Sequence, residues 1–320
     1  MINAIVARQP GGPEVLVMQE IEEPVLRPGQ ILVRVAAAGV NFIDTRQRSG
    51  IYSCDFPFTP GLEVAGTVIS VGDDVQNFSV GDRVATAECV AGYAEFALIE
   101  QEKAWAVPAE VDDLTAAAIP LQGLTAHYLV NSSFRVEPGQ TAVVHAGAGG
   151  VGLLLTQLLK ARGARVISTV STDEKETLAK LAGADAVLRY EGFADRVREL
   201  TGGVGADVGF DGVGGTTFEG SLASLRIRGT LVLFGASSGQ VSPVDMEKLA
   251  AGSFYLTRPT SQDFIRDKDE RLWRSSELFS AVAEGSLKVR IGQTYPLVEA
   301  ANAHRDLEGR KTTGKILLVP

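Results

Sequence analysis

Apolar and polar positions follow three rhythms along this chain. In the first third, short runs rich in β-branched residues recur at 4–7, 15–18, 31–36 and 63–71. Gly11-Gly12-Pro13, Pro28-Gly29 and Gly72-Asp73-Asp74 punctuate them, and Gly81-Asp82 leads into a further strand at Arg83-Val84-Ala85. Short strands at close spacing predict a barrel-like, partly antiparallel domain. From about residue 125 to 255, strand-length runs alternate with helix-length segments. Strands are expected at 141–145, 165–170, 186–188, 206–211, 230–234 and 254–257, and helices at 151–161 and 172–182. This alternation predicts an α/β domain with a doubly wound, parallel six-stranded sheet. Ser171 is expected to cap the helix at 172–182, with Glu174 completing a capping box and Gly183 ending it. The tail reads as a helix at 268–284, a break at Tyr295-Pro296-Leu297, a helix at about 298–307 and a strand at 315–319 that returns to the first domain. A nucleotide domain (124–259) is thus inserted into a discontinuous β-rich domain (1–123 and 260–320).

Composition narrows the class. Hydrophobic residues make up 45% of 320 and charged residues 22%, enough apolar surface to bury two cores and to exclude disorder as the main state. The formal charge of −9 argues against a nucleic-acid partner. Cys54 and Cys89 are too few for a disulfide framework or a four-thiolate zinc site. His127, His145 and His304 are too scattered to suggest a metal cluster. Two reduced thiols point to a cytoplasmic protein. The N-terminus lacks the basic and apolar regions of a signal peptide. Residues 138–159 carry no charged side chain and are long enough to span a bilayer, but glycines interrupt them, so a buried strand, a turn and a buried helix are expected instead.

The chemistry concentrates at Gly147-Ala148-Gly149-Gly150-Val151-Gly152, which follows a predicted strand and opens a predicted helix. In that context the pattern is a dinucleotide-binding turn. Gly147 is expected to permit the tight turn, Gly149 to let the backbone approach a pyrophosphate, and Gly152 to pack helix against strand. The helix N-terminus favours phosphate charge. At the end of the second strand, where NAD sites carry an acidic residue, stands the neutral Ser171, with Lys175 one helical turn on. This favours NADPH, while Asp173 and Glu174 keep NADH open.

Further segments resemble the medium-chain dehydrogenases/reductases, and more closely the zinc-independent NADPH:quinone oxidoreductases of the zeta-crystallin family. They include Asn41-Phe42-Ile43-Asp44, Pro60-Gly61-Leu62-Glu63, Val80-Gly81-Asp82-Arg83-Val84, Gly123-Leu124-Thr125-Ala126, Phe234-Gly235-Ala236-Ser237-Ser238-Gly239 and Leu256-Thr257-Arg258-Pro259. The resemblance implies a Rossmann domain inserted in a GroES-like domain. Zinc alcohol dehydrogenases carry a cysteine at the position of Asn41 and a histidine at that of Leu62. Neither residue present here is a zinc ligand, so no metal is expected. The resemblance further implies that Lys175 and Arg310 meet the 2′-phosphate, Tyr190 the adenine side, Gly149, Gly150, Val151 and Gly152 the pyrophosphate, and Phe234 and Ser237 the nicotinamide. Asn41, Tyr52 and Thr125 would line the cofactor and substrate pocket and carry catalysis. Arg46 replaces a tyrosine of relatives, either favouring anionic substrates or facing solvent. Glu63 is expected to be structural, and His145 a core residue rather than a base.

These features imply hydride transfer from NADPH to a quinone, with Asn41, Tyr52 or water donating to the developing oxyanion. Two other readings stay open: an NADPH-dependent enone or alkenal double-bond reductase, and a weakly catalytic NADPH-binding sensor or structural protein. A homodimer is implied, pairing through an edge strand from Ser253 to Thr257.

Overall fold

The computed structural model describes residues 1–320. The chain divides into two compact units, Met1–Leu121 with Ser275–Pro320, and Gln122–Arg274.

In the first unit the long strand Gln30–Val40 is central. It pairs antiparallel with Glu63–Val71, with Phe96–Glu100 and with the C-terminal strand Lys315–Val319. The final strand therefore returns to the first domain as its sequence suggests. Ile291–Pro296 extends this sheet on one side, and Arg83–Thr86 and Trp105–Ala106 extend it on the other. Ile31, Val33, Val64, Val68, Val84, Ile99, Ile316 and Leu318 form its core. At roughly 1.5–3 kcal/mol per fully buried large aliphatic side chain, this core is the unit's main source of stability. Ile2–Ala7 and Leu16–Ile21 form a separate hairpin-like pair.

The second unit holds six strands in the order Ala186–Leu188, Arg165–Thr169, Thr141–Val144, Ala206–Asp211, Leu225–Leu233, Tyr255–Thr257. All neighbours are parallel. Counted from the first strand, the order is 3-2-1-4-5-6, the doubly wound Rossmann arrangement, and the order reverses between Thr141–Val144 and Ala206–Asp211. Residues 138–159 resolve into a turn, the strand Thr141–Val144 and the helix Gly150–Ala161. No helix is long and apolar enough to cross a membrane.

Three local readings change. The helix after the second strand is Asp173–Leu181, and its cap is Thr172, whose hydroxyl accepts the Lys175 amide at 3.3 Å. The strand stops at Thr169, so the extended link runs through Ser171 and puts Lys175, not an acid, at the third helical position. No capping box forms. The fifth strand begins at Leu225 rather than 230. The expected helix at about 298–307 is a 3-10 turn, Leu297–Glu299, followed by the helix Ala300–Glu308.

Candidate active site

The glycine turn joins Thr141–Val144 to the helix Gly150–Ala161. Its left-handed residue is Ala146, at φ +52, and not Gly147. Gly147 is required for a different reason: a Cβ there would lie 2.7 Å from the Cβ of Ser168. A Cβ on Gly152 would run into the backbone of Ala146 and Gly147, so this glycine lets the helix sit directly on the turn, where packing against the strand was expected. The turn is closed by Gly149 N–H donating to Ala146 O at 2.8 Å and Gly147 N–H donating to Thr169 O at 3.0 Å. Gly149 is the helix cap and has no side chain to cover the first amides. The residues present thus form a backbone cradle with its positive end uncapped, the arrangement that accepts a diphosphate. Tyr190 reaches this turn, its hydroxyl accepting the Ala146 amide at 3.1 Å. Gln122 also lies here, its side-chain amide against Gly150.

The end of the second strand has a charge balance that the sequence alone did not reveal. Arg189, just past the third strand, pairs with Asp173 and, at 3.0 Å, with Glu176. Glu176 also pairs with Lys180, which holds its carboxyl below the usual range. The acid nearest Ser171 is thereby engaged by a cation, and Lys175 stands in the same first turn.

Across the switch point, Asp211 ends the fourth strand and accepts the amides of Val213 and Gly214 at 2.8 and 2.9 Å. Phe234 N–H donates to Asp211 O, and Ser237 N–H to Gly212 O. Both residues are therefore stitched to the same loop, and the Phe234 ring covers Gly212, where a Cβ would be 2.8 Å from it. Thr125, in the helix Pro120–Tyr128, hydrogen-bonds the hydroxyl of Tyr128, whose burial pushes its pKa up to about 12.

In the first unit Asn41 precedes the short helix Phe42–Arg48. Its Oδ1 accepts from Lys315 Nζ at 2.8 Å, and its Nδ2 donates to Glu63 Oε2 at 2.7 Å and to Gly39 O at 3.3 Å. Lys315 also pairs with Glu63, and both are fully buried. Gly39 makes room for this pair, since a Cβ there would meet the Glu63 carboxyl and lie 2.7 Å from the Lys315 stem. The second Glu63 oxygen accepts the Leu121 amide at 2.8 Å. Asn41 therefore has no amide hydrogen left for a substrate oxygen, which corrects the expected donor role. Tyr52 is 40% exposed, with the Arg46 guanidinium 5.9 Å over its ring. Arg310 takes a left-handed turn at φ +54 after the helix Ala300–Glu308.

Beneath Asn41 lies a second layer. Asp44 Oδ2 accepts the Asn41 amide at 2.8 Å and the Tyr93 hydroxyl at 2.9 Å, while Oδ1 is buried with no partner. Burial raises its pKa to about 7. His304 lies 3.1 Å from the Tyr93 hydroxyl, with Arg48 against its other nitrogen. Burial and that guanidinium lower its pKa to about 3.

Residues 27–135 match the alcohol dehydrogenase GroES-like domain, and residues 150–271 match the zinc-binding dehydrogenase family. Quinone oxidoreductase 1 of Escherichia coli K12 is 42% identical over 100% of both chains. The structure of an Escherichia coli quinone oxidoreductase complexed with NADPH superposes with a TM-score of 0.97 at 41% identity, covering 99% of this chain and 100% of that one. The chain belongs to the zinc-independent quinone oxidoreductase family. A mycobacterial protein complexed with NADPH is similar to it at a TM-score of 0.97 and 50% identity, over 100% of both chains.

Within this quinone oxidoreductase fold the donor set explains why zinc chemistry has no foothold. Asn41 and the aliphatic Leu62 offer no thiolate or imidazole, and no group of three or more His, Cys, Asp or Glu side chains converges anywhere. The carboxylate of Glu63 instead holds an ammonium. Arg189, Gln122 and Lys315 are the site-adjacent residues that sequence reasoning missed. Only Arg189 had a local signal, as a cation at the end of the third strand beside Tyr190.

Proposed function

We propose that the chain is an NADPH-dependent quinone reductase that works without zinc, as a cytoplasmic homodimer. One observation carries the reading: an uncapped glycine cradle with a neutral Ser171 and a cationic rim, in a chain 42% identical along its whole length to a quinone oxidoreductase. NADPH, when bound, supplies the hydride. The chain's own residues do the rest. The Gly149–Gly152 backbone, Val151 included, holds the diphosphate. Lys175 and Arg310 favour the 2′-phosphate, aided by Arg189, which occupies Asp173. Tyr190 supports the adenine side, and Phe234 and Ser237 the nicotinamide side. Tyr52 and Thr125 supply hydroxyls toward the carbonyl oxygen that gains charge, a type of contact worth about 10²–10³ in rate at dedicated oxyanion sites. Asn41, held by Lys315 and Glu63, shapes the site without donating.

The test is NADPH oxidation at 340 nm with 1,4-benzoquinone, 9,10-phenanthrenequinone and an enone, with and without EDTA, and again with NADH. A chelator-insensitive quinone rate that prefers NADPH is the expected result. Preferential enone turnover identifies a double-bond reductase instead, and binding without turnover a sensor. The dimer is proposed through Tyr255–Thr257, which ends the six-stranded sheet and has a partner on one side only. Sedimentation of a monomer at micromolar concentration contradicts it.

A further inference from the structure

We propose that His145 is a positioning residue of the dinucleotide cradle, a neutral hydrogen-bonding hub that fixes the turn at Ala146 and the loop after the fourth strand relative to each other. The inference rests on the reading that this cradle holds NADPH. His145 follows the first strand, Thr169 ends the second and Asp211 ends the fourth, and these are the three adjacent central strands at the switch point. His145 Nδ1 lies 2.7 Å from Thr169 Oγ1, and Nε2 lies 2.9 Å from Ser221 Oγ. The single hydroxyl proton of Ser221 faces two acceptors, Asp211 Oδ2 at 2.8 Å and Thr217 O at 2.9 Å. Its oxygen is therefore left to accept, and His145 Nε2 must carry the proton. In the neutral ring Nδ1 is then bare and accepts from the Thr169 hydroxyl. Both ring nitrogens are used, and the tautomer is set by the neighbours.

The frame is buried throughout: His145 is 2% exposed, and Thr169, Asp211 and Ser221 are at 0%. Burial holds the imidazole's pKa below its ordinary value, against the opposing pull of Asp211. The neutral ring with its proton on Nε2 matches both hydrogen bonds. The hub touches the cradle at three points. It adjoins Ala146, whose amide donates to Tyr190, and its ring lies over that of Tyr190 at 6.2 Å and an interplanar angle of 23°. The carbonyl of Thr169 accepts the Gly147 amide. Asp211, also held by Thr217 Oγ1 at 2.7 Å, shapes the loop that carries Phe234 and Ser237. A plain core role would need none of this polarity, because Leu or Phe fills such a space without buried hydrogen bonds to satisfy.

The experiment compares wild type with His145→Gln, and with Thr169→Val and Ser221→Ala, which remove one partner each and keep the volume nearly unchanged. NADPH and 2′,5′-ADP affinities are titrated by fluorescence, single-turnover quinone reduction is measured at saturating NADPH, and melting temperature is followed. The expected result is a rise of about five- to tenfold in Kd for both ligands in all three variants, as one lost hydrogen bond predicts. The single-turnover rate and the quinone KM should stay within about twofold of wild type. Unchanged Kd in Thr169→Val and Ser221→Ala overturns the proposal, as does a loss of rate and melting temperature without a change in Kd. If wild type itself fails to bind NADPH, the reading of the cradle falls, and this inference with it.

Discussion

Two buried polar clusters sit beside the candidate site residues, and they are built on opposite principles. In the first unit, Glu63 and Lys315 form a buried ion pair, and Asp44 lies close by with an unpartnered oxygen. In the second unit, one carboxylate, Asp211, is surrounded by donors from Val213, Gly214, Thr217 and Ser221, and burial holds the pKa of the histidine beside it below its ordinary value. The first cluster depends on charge pairing and so is vulnerable to the loss of one partner. The second depends on many hydrogen bonds and loses stability in smaller steps. The same demand, a rigid polar wall in a low-dielectric interior, has been met once by ion pairing and once by donor count.

The largest expected effect is on the ion pair. Lys315→Met should destabilise the protein by about 3–5 kcal/mol, since it strands the Glu63 carboxylate. Adding Glu63→Gln should recover a substantial part of that loss in urea unfolding. If the double variant is no better than the single one, the pair is not what holds this cluster together.

Next comes the pH dependence of Asp44. Its folded pKa of about 7 lies above the ordinary carboxyl value, so the folded state holds a proton that the unfolded state has lost. Stability then falls as pH rises from about 4 to about 7, by up to about 2–4 kcal/mol. His304, lowered to about 3, acts in the opposite sense, adding stability as pH rises from about 3 to about 6.5. Asp44→Asn should remove the first effect and expose the second, so its unfolding midpoint should rise more steeply with pH than that of wild type. Parallel profiles would mean that Asp44 does not titrate there.

Asp211→Asn should cost about 2 kcal/mol, less than the broken ion pair, because an amide turned against several donors loses some of its bonds and keeps others. A cost equal to that of Lys315→Met would erase the contrast between the clusters. The smallest stability effect is expected at Lys175, half-buried in the first turn of the helix Asp173–Leu181. Lys175→Ala should change stability by less than about 0.5 kcal/mol. It should still lower kcat/KM for NADPH about tenfold while leaving NADH nearly unchanged, the loss of one charged phosphate contact.

The features that could be read from the sequence were local ones. Residues 63–71, 186–188, 206–211 and 315–319 were delimited as strands and are observed as Glu63–Val71, Ala186–Leu188, Ala206–Asp211 and Lys315–Val319. Gly152 was assigned to close packing and meets the Ala146 backbone. The errors were also local, where two neighbours compete for one role. Thr172 caps in place of Ser171, and Ala146 takes the left-handed turn in place of Gly147. Strand length decides the first case, since the strand stops at Thr169 and the helix begins at Asp173, and residue type alone does not encode it.

The sequence by itself determined the two fold patterns, the order of the alternating elements and the glycine cradle, because periodicity and turn chemistry act over a few residues. The tertiary structure decided what the polar residues do. Lys315 reaches Asn41 across 274 positions and Glu63 across 252, and Tyr93 reaches His304 across 211. Those meetings turn Asn41 from a donor into a held group, place a cation beside Glu63 and shift Asp44 and His304 in opposite directions. Burial and charge act through space, and only the assembled sheet brings these side chains within hydrogen-bonding distance.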